Sequence, residues 1–354
     1  MSLVGKLGST EAGKAVFSGS NGERHELIVE YAVLPDGRRK PTWKDETTGM
    51  EWQIKLGLLY RLRHMDPGLS ALAALAFFLC ASFAAIRWNH LLRANGVRTS
   101  LWETWRLYWV GTFFNNFVPG LTGGDLARAY FIAKRTGRKT VPVLTVMVDR
   151  IVGVAALALL ALVVVLFNLD KLADLAWGVL TFVMGLGLLV VLFLSPSARL
   201  FMTRANRIER FARNGFLHRL LEAIEAYQSQ KALLLFWLLA SMLNHVLSTA
   251  VVALLGQAMG LHVSLSNYFV LVPVISIASA VPLTPSGWGV SEALSDLLFV
   301  KFAGLAVGDG AGLSVVSRIV GICWSLMGGI LLVLMKDRAG AREIEREMQT
   351  GGAV

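Results

Sequence analysis

Long apolar runs separated by polar turns occupy the chain from about residue 69 onward. Leu69 to Leu92, Val143 to Phe167, Leu175 to Leu194, Lys231 to Leu255 and Leu313 to Met335 each supply the roughly 20 residues that carry a helix across bilayer hydrocarbon. The pattern predicts five spanning helices. Just before them, Gln53 to Met65 puts Leu58, Leu59, Leu62 and Met65 on one helical face and keeps Lys55, Arg61 and Arg63 polar, the pattern of a short interfacial helix. Residues 1–52 are hydrophilic. Within them HELIVEYAVL (25–34) alternates in part like a strand, PDG (35–37) is a turn signal, and Trp43 and Trp52 can anchor a second strand. That segment reads either as a small β unit or as a disordered tail.

Two further apolar regions are broken. Trp102 to Lys134 is interrupted by NNFVPGLTGGD (115–125), and Ser264 to Phe302 by VPLTPSGWGVSE (281–292). Each interruption leaves arms of roughly 9 to 17 residues, mostly too short to span. Broken backbone at membrane depth survives only where protein or a water-filled cavity buries it. Both regions therefore read as re-entrant or tightly kinked helical hairpins.

A repeat emerges from the same pattern. VDRIVG (148–153) returns as VSRIVG (316–321), which places Arg150 and Arg318 in equivalent positions. Each lies one helix after a broken hairpin that carries an acid, Asp125 or Glu292, and each hairpin follows one spanning helix. Counting crossings makes the two Arg-bearing helices antiparallel, so the repeat is inverted. Inverted repeats with interrupted helices are a transporter architecture with its site near mid-membrane. The fold class expected is all-α and polytopic. Its parts are a polar segment over 1–54, a transmembrane domain over 55–335 and a tail over 336–354.

Composition sharpens this reading. Of 354 residues, 55% are hydrophobic and only 16% charged, which excludes an ordinary soluble enzyme and a disordered chain. The formal net charge of +10 is read first as membrane orientation rather than nucleic-acid binding, because cytoplasmic loops collect Lys and Arg. The 196–231 loop, rich in arginine, the flanks of the first hairpin and the tail from Lys336 then face the cytoplasm of a multi-pass inner-membrane protein. The turn over 168–174 and the loops over 259–264 and 303–312 face outward. On this topology the first helix starts outside, which calls for a further upstream helix or for translocation of the short N-terminal tail. Cys80 and Cys323 lie in apolar runs and read as core residues, and the six histidines form no ligand-spaced cluster. No metal, cofactor or nucleic-acid partner is expected. The stretch 205–228 reads as a basic amphipathic helix on anionic lipid.

Candidate chemistry concentrates on the hairpins. The first carries Asn115, Asn116, Pro119, Gly120, Gly123, Gly124, Asp125 and Arg128. A helix starting near Gly124 would point free N–H groups into the membrane, a setting for a phosphate. The simpler reading is that Pro and Gly make the turn and the Asn side chains cap it. The second hairpin offers Pro282, Pro285, Ser286, Gly287, Gly289 and Glu292. Ser286 reads as a cap, because SGWG is no nucleophile elbow and no His serves it. Ionisable residues within spans usually face an interior cavity, so Arg150 and Arg318 are the sharper signals. Asp149 points about 100° away from Arg150 and cannot be assumed to pair with it. Asp125 can pair with Arg150 and Glu292 with Arg318, as headgroup contacts or as structural locks. His245 and Asn244 lie in a span, and a lone intramembrane His reads as a packing residue.

NNFVPGLTGGDLARAYFIAKRTG followed by VDRIVG, then PLTPSGWGVSEAL, with IRWNHLLRANGV (86–97) ahead of them, resembles the lysylphosphatidylglycerol synthase transmembrane-region, or flippase-like, family over about residues 55 to 335. That resemblance implies a bacterial or archaeal membrane protein acting on lipids. In fused relatives the membrane unit moves an aminoacylated phospholipid between leaflets, and a C-terminal soluble domain makes it. No room for such a domain is expected after residue 335. The polar N-terminus and the lack of the family's first helix depart from the pattern.

The function expected is translocation of an anionic or aminoacylated phospholipid, or of a lipid-linked sugar such as a polyprenyl-phosphate species. No catalytic residue is assigned. Two alternatives stand beside it. One is the membrane part of a lipid-modifying transferase system. The other is a non-catalytic scaffold for a separate synthase or glycosyltransferase.

Overall fold

The computed structural model describes residues 5–11, 14–19, 24–33, 39–46, 51–52, 58–117, 123–137, 140–194, 227, 230–280 and 287–335. The turn expected at 35–37, the tail from Lys336 and all but Tyr227 of the basic segment 205–228 lie outside the described residues. So do Pro119, Gly120, Pro282, Pro285 and Ser286. The chain divides into two compact units, Met1–Tyr60 and Arg61–Val354.

The described strands of the N-terminal unit form a five-stranded antiparallel meander. Its strands are β1 (Gly5–Glu11), β2 (Lys14–Gly19), β3 (Arg24–Val33), β4 (Arg39–Asp45) and β5 (Glu51–Trp52), joined in sequence order. The register sets Val29 opposite Trp43, Tyr31 opposite Pro41 and Trp43 opposite Trp52. A register shift between Ser9 and Glu11 marks a bulge in the edge strand β1, a common way to blunt an edge.

Helix α1 (Leu58–Arg63) is the described part of the interfacial helix expected over 53–65. The membrane unit then continues as α2 (Pro67–Ala94), α3 (Leu101–Phe117), α4 (Gly123–Thr136), α5 (Thr140–Leu166), α6 (Leu169–Leu194), α7 (Lys231–Ala258), α8 (Leu265–Ser279), α9 (Val290–Ala303) and α10 (Asp309–Leu334). It is an all-α polytopic membrane protein. Local chemistry sets several of these boundaries. Asp66 accepts a 2.7 Å hydrogen bond from the Leu69 N–H, and Pro67 follows at the first helical position, where its missing N–H costs nothing. Gly137 closes α4 at φ +69°, a conformation that a side chain would oppose.

Among the described residues, four helices are long and apolar enough to cross a bilayer: α2, α5, α7 and α10. The fifth span expected, 175–194, lies in α6. That helix is interrupted at Leu172 (φ −113°, ψ 16°), and its described apolar stretch, Ala176–Leu188, is shorter. The broken regions appear as helix pairs, α3 with α4 and α8 with α9. At 1.5 Å per residue, each of these four helices is about 20–25 Å long, short of the ~30 Å hydrocarbon.

The two repeats exchange partners. α3 of the first packs on α10 of the second, and α8 of the second packs on α5 of the first. The leading helices, α2 and α7, pack along their length in opposite directions. Gln230 meets Ala94, Ser241 meets Arg87, and Ala258 meets Asp66. Glycines permit the closest approaches. A Cβ on Gly328 would strike the Trp109 carbonyl, and one on Gly124 the Gly111 carbonyl. The buried core around the first hairpin comprises Trp88, Leu92, Leu107, Val110, Phe114 and Ile132. Leu235, Leu239 and Leu243 recur every four residues on α7 and are open, as a lipid-facing stripe requires.

Candidate functional site

Helices α3 and α4 and their neighbours line a half-open cavity of about 250 Å³. α2 contributes Arg87, α3 Tyr108 and Asn115, α4 Asp125 and Arg128, α5 Asp149 and Arg150, and α7 Asn244 and His245. Gly111 and Gly153 complete it where side chains would intrude.

Its charged groups form one alternating ladder. Arg87 donates from Nε to Asp149 Oδ1 at 2.7 Å and from Nη1 to Ser241 Oγ at 2.7 Å. Asp149 Oδ2 accepts from Arg128 Nη2 at 3.1 Å. The same Nη2 lies 3.1 Å from Asp125 Oδ1. Asp125 then receives both prongs of the Arg150 fork, Nε at 2.6 Å and Nη2 at 3.0 Å. Arg87, Asp149, Arg128 and Asp125 are all buried, whereas the Arg150 side chain is 56% exposed and stands at the mouth. Met147, one turn before Arg150 on α5, and Ile151 beside it are exposed as well.

Three guanidinium groups face two carboxylates, so the cavity carries a net positive charge. Desolvating five charges is costly, and pairing offsets that cost only when each charge is hydrogen-bonded. Arg128 does not fully meet this condition. Its Nε and Nη1 are buried without a hydrogen-bond partner, although its guanidinium lies 4.8 Å from the Trp88 ring centroid and 5.3 Å from that of Tyr108. Those ring faces supply attraction but no acceptor. Asn244 Oδ1 is likewise buried and unpartnered.

Helix starts at the two hairpins are closed by the chain's own side chains. The Gly124 N–H donates to Asn115 Oδ1 at 3.0 Å, and Asn116 Nδ2 donates back to the Thr112 carbonyl at 3.0 Å. At α9 the Gly289 N–H donates to Glu292 Oε2 at 2.7 Å, with Gly289 at φ +82°. Capping is thus the observed role of Asn115 and Glu292 at the positions considered for an anion.

In the second hairpin Arg318 donates from Nε to Glu292 Oε1 at 2.9 Å and from Nη2 to Ser291 Oγ at 2.7 Å, under the Trp288 ring at 4.5 Å. Both ion pairs considered from the sequence are present. Among the described residues, however, Gly287, Gly289, Glu292 and Arg318 do not line the cavity that holds Asp125, Arg128, Asp149 and Arg150. The charged groups of the cavity come from the first repeat, and the second carries a separate, half-buried pair.

Four contributors escaped the sequence reading, Tyr108 of α3 among them. Arg87 was visible as a charge inside the first span, but its partner lies 62 residues on and could not be named. Asn244 and His245, read as packing residues, line the cavity from α7, with the His245 Nε2–H donating to the Gly153 carbonyl at 3.0 Å. A cluster of polar residues within one predicted span was the signal available for them. Asn89 of the same IRWNHLLRANGV segment serves the turn into α3 instead, donating to Thr104 Oγ1 at 2.8 Å.

The lysylphosphatidylglycerol synthase transmembrane-region family model matches residues 57–328. Among curated proteins, the chain is 25% identical over 173 residues to a UPF0104 membrane protein of Pyrococcus horikoshii, covering 48% of each chain. It is 22% identical over 304 residues to a UPF0104 membrane protein of Methanocaldococcus jannaschii, covering 81% of this chain and 89% of that one. The chain thus spans about half the length of the first relative and most of the second. No solved structure matches it.

Proposed function

Because the chain belongs to the lysylphosphatidylglycerol synthase transmembrane-region family, we propose that it moves a lipid with a phosphate-bearing headgroup between the leaflets of a membrane. The observation that carries this reading is the net-positive chamber within the helix bundle, with Arg150 at its mouth. A phosphate entering it meets guanidinium groups in low dielectric, where charge-assisted hydrogen bonds are strong. Exposed apolar neighbours of Arg150 leave room for acyl chains to stay in lipid while the headgroup enters. The candidate contacts are Asp125, Arg128, Asp149 and Arg150 with Asn115, and the added groups are Arg87, Asn244 and His245.

Rocking of the two repeats about this chamber would expose it to each leaflet in turn. The exchanged packing of α3 on α10 and α8 on α5 supplies the surfaces for that motion. We place the protein in the bacterial or archaeal plasma membrane with residue 354 on the cytoplasmic side, following the basic loops. Any separate synthase or glycosyltransferase would act on the lipid before or after the movement.

The test is identification of co-purifying lipids by mass spectrometry, comparing wild type with Arg150→Gln in mild detergent. A phosphate-bearing lipid enriched in the wild type and lost from the folded variant is the expected result. An identical lipid profile in both would overturn the assignment of this chamber as a headgroup site.

A further inference from the structure

The ends of α2 and α7 meet in a basic groove on the outside of the helix bundle, apart from the chamber. We propose that this groove binds an anionic glycerophospholipid from the leaflet that meets those helix ends. The lipid is a resident one, and its site does not depend on the translocation reading.

The groove is open and is lined by His90, Arg93, Ala94, Gln230 and Leu233, none of which lines the chamber. The backbone sets its level in the membrane. Gln230 Nε2 donates to the Ala94 carbonyl at 2.8 Å and so fixes the start of α7 beside the end of α2. Lys231, the first residue of α7, therefore stands at the level of Arg93 in the last turn of α2. His90 lies only about 6 Å further in, at 1.5 Å per residue from Ala94.

These three basic side chains are exposed, and among the described residues none has a carboxylate partner. They are not needed as helix caps either. The last four carbonyls of α2, Leu91 to Ala94, already accept from the Asn95, Gly96 and Val97 N–H groups and from the Asn95 and Gln230 side chains. Their donors are left to a ligand.

Beneath this rim the surface turns apolar. Trp237 packs against His90 and Phe83, with ring centroids 5.2 and 5.5 Å away. Leu72, Leu79, Phe83 and His90 follow one another at intervals that keep them on one face of α2. Leu72 and Leu79 are 51% and 58% exposed. A rim of donors above an apolar strip is the complement of an anionic headgroup above its acyl chains. Basic pockets between helices at a membrane surface hold such headgroups, and each Lys or Arg adds several-fold in affinity. A zwitterionic headgroup brings its own cation to the rim and gains less. Because α2 leads the first repeat and α7 the second, one lipid seated here bridges both.

The experiment uses the full chain carrying Arg150→Gln, so that the chamber does not contribute. The delipidated protein in mild detergent is titrated with phosphatidylglycerol or phosphatidylcholine of identical acyl chains, and bound lipid is counted by native mass spectrometry. Phosphatidylglycerol is expected to bind about tenfold more tightly. Adding Arg93→Gln and Lys231→Gln should weaken it by about tenfold or more and leave phosphatidylcholine within about twofold. Arg98→Gln with Lys134→Gln removes the same charge from exposed positions outside the groove and should change either affinity by about twofold or less. An equal loss in that control, or equal binding of the two lipids, would overturn the site. A phosphatidylglycerol with a photoreactive group on the first carbons of its acyl chain gives a reading without the groove variants and decides if they do not fold. It should label residues 83–94 and 231–237 ahead of the other lipid-facing helices, and even labelling of α5 and α10 would overturn the proposal.

Discussion

Asp149 accepts from Arg87 on one carboxylate oxygen at 2.7 Å and from Arg128 on the other at 3.1 Å, and so joins α2, α4 and α5 through a single buried side chain. The residue next to it, Arg150, turns to Asp125 instead. Adjacent residues on one helix point about 100° apart, and here each meets a different wall of the same chamber.

This makes Asp149 the member whose loss should cost most. Asp149→Asn leaves two guanidinium groups without their shared counter-charge in a desolvated site. Breaking a buried pair in this way costs about 3–5 kcal/mol. Thermal unfolding in detergent should show the destabilisation, and the Asp149→Asn, Arg87→Gln double variant should lose less than the two single changes added together.

Repeat-related arginines should behave differently. Arg150 lines the chamber, and Arg318 does not. Arg318→Gln breaks the contact to Glu292 while Glu292 can still cap Gly289, so a modest stability loss of about 1–3 kcal/mol is expected. Lipid mass spectrometry should show the wild-type lipid profile in Arg318→Gln and a depleted one in Arg150→Gln.

Close helix packing at the first hairpin rests on Gly124. Gly124→Ala places a Cβ against the Gly111 carbonyl and Asn115, so α3 and α4 must separate. Overpacking of this kind costs about 1–3 kcal/mol. Gly178→Ala in α6, where a Cβ meets nothing within 4 Å, is the control and should shift stability by about 0.5 kcal/mol or less. Parallel unfolding curves in one detergent check both.

Membrane orientation is open to direct labelling. In a chain with Cys80 and Cys323 changed to Ala, a cysteine introduced by Thr350→Cys should react with an impermeant thiol reagent only after the cells are opened. One introduced by Lys171→Cys should react in intact cells. The reverse pattern would invert the topology drawn from the basic loops.

Sequence order alone determined the membrane class, the interruptions of the two apolar regions and the repeat, and it offered Asp125–Arg150 and Glu292–Arg318 as pairs that could form. Apolar run length, Gly and Pro interruption and a recurring short motif are local properties of the chain, so they survive without coordinates. Even the two ion pairs were legible, because each joins a hairpin to the helix that follows it. Of the β meander only HELIVEYAV carried a signal, a partial alternation, and the neighbouring strands carried less. Only the tertiary structure decided that Arg87 and Asn244 share a chamber with Arg128, and that Arg318 stands apart from it. Those facts depend on how α2 and α7 rotate about their axes when they pack antiparallel, and therefore on which face of each helix turns inward. Hydrophobic periodicity cannot fix that rotation when lipid and protein interior are both apolar, so polar residues on these helices revealed their partners only after packing.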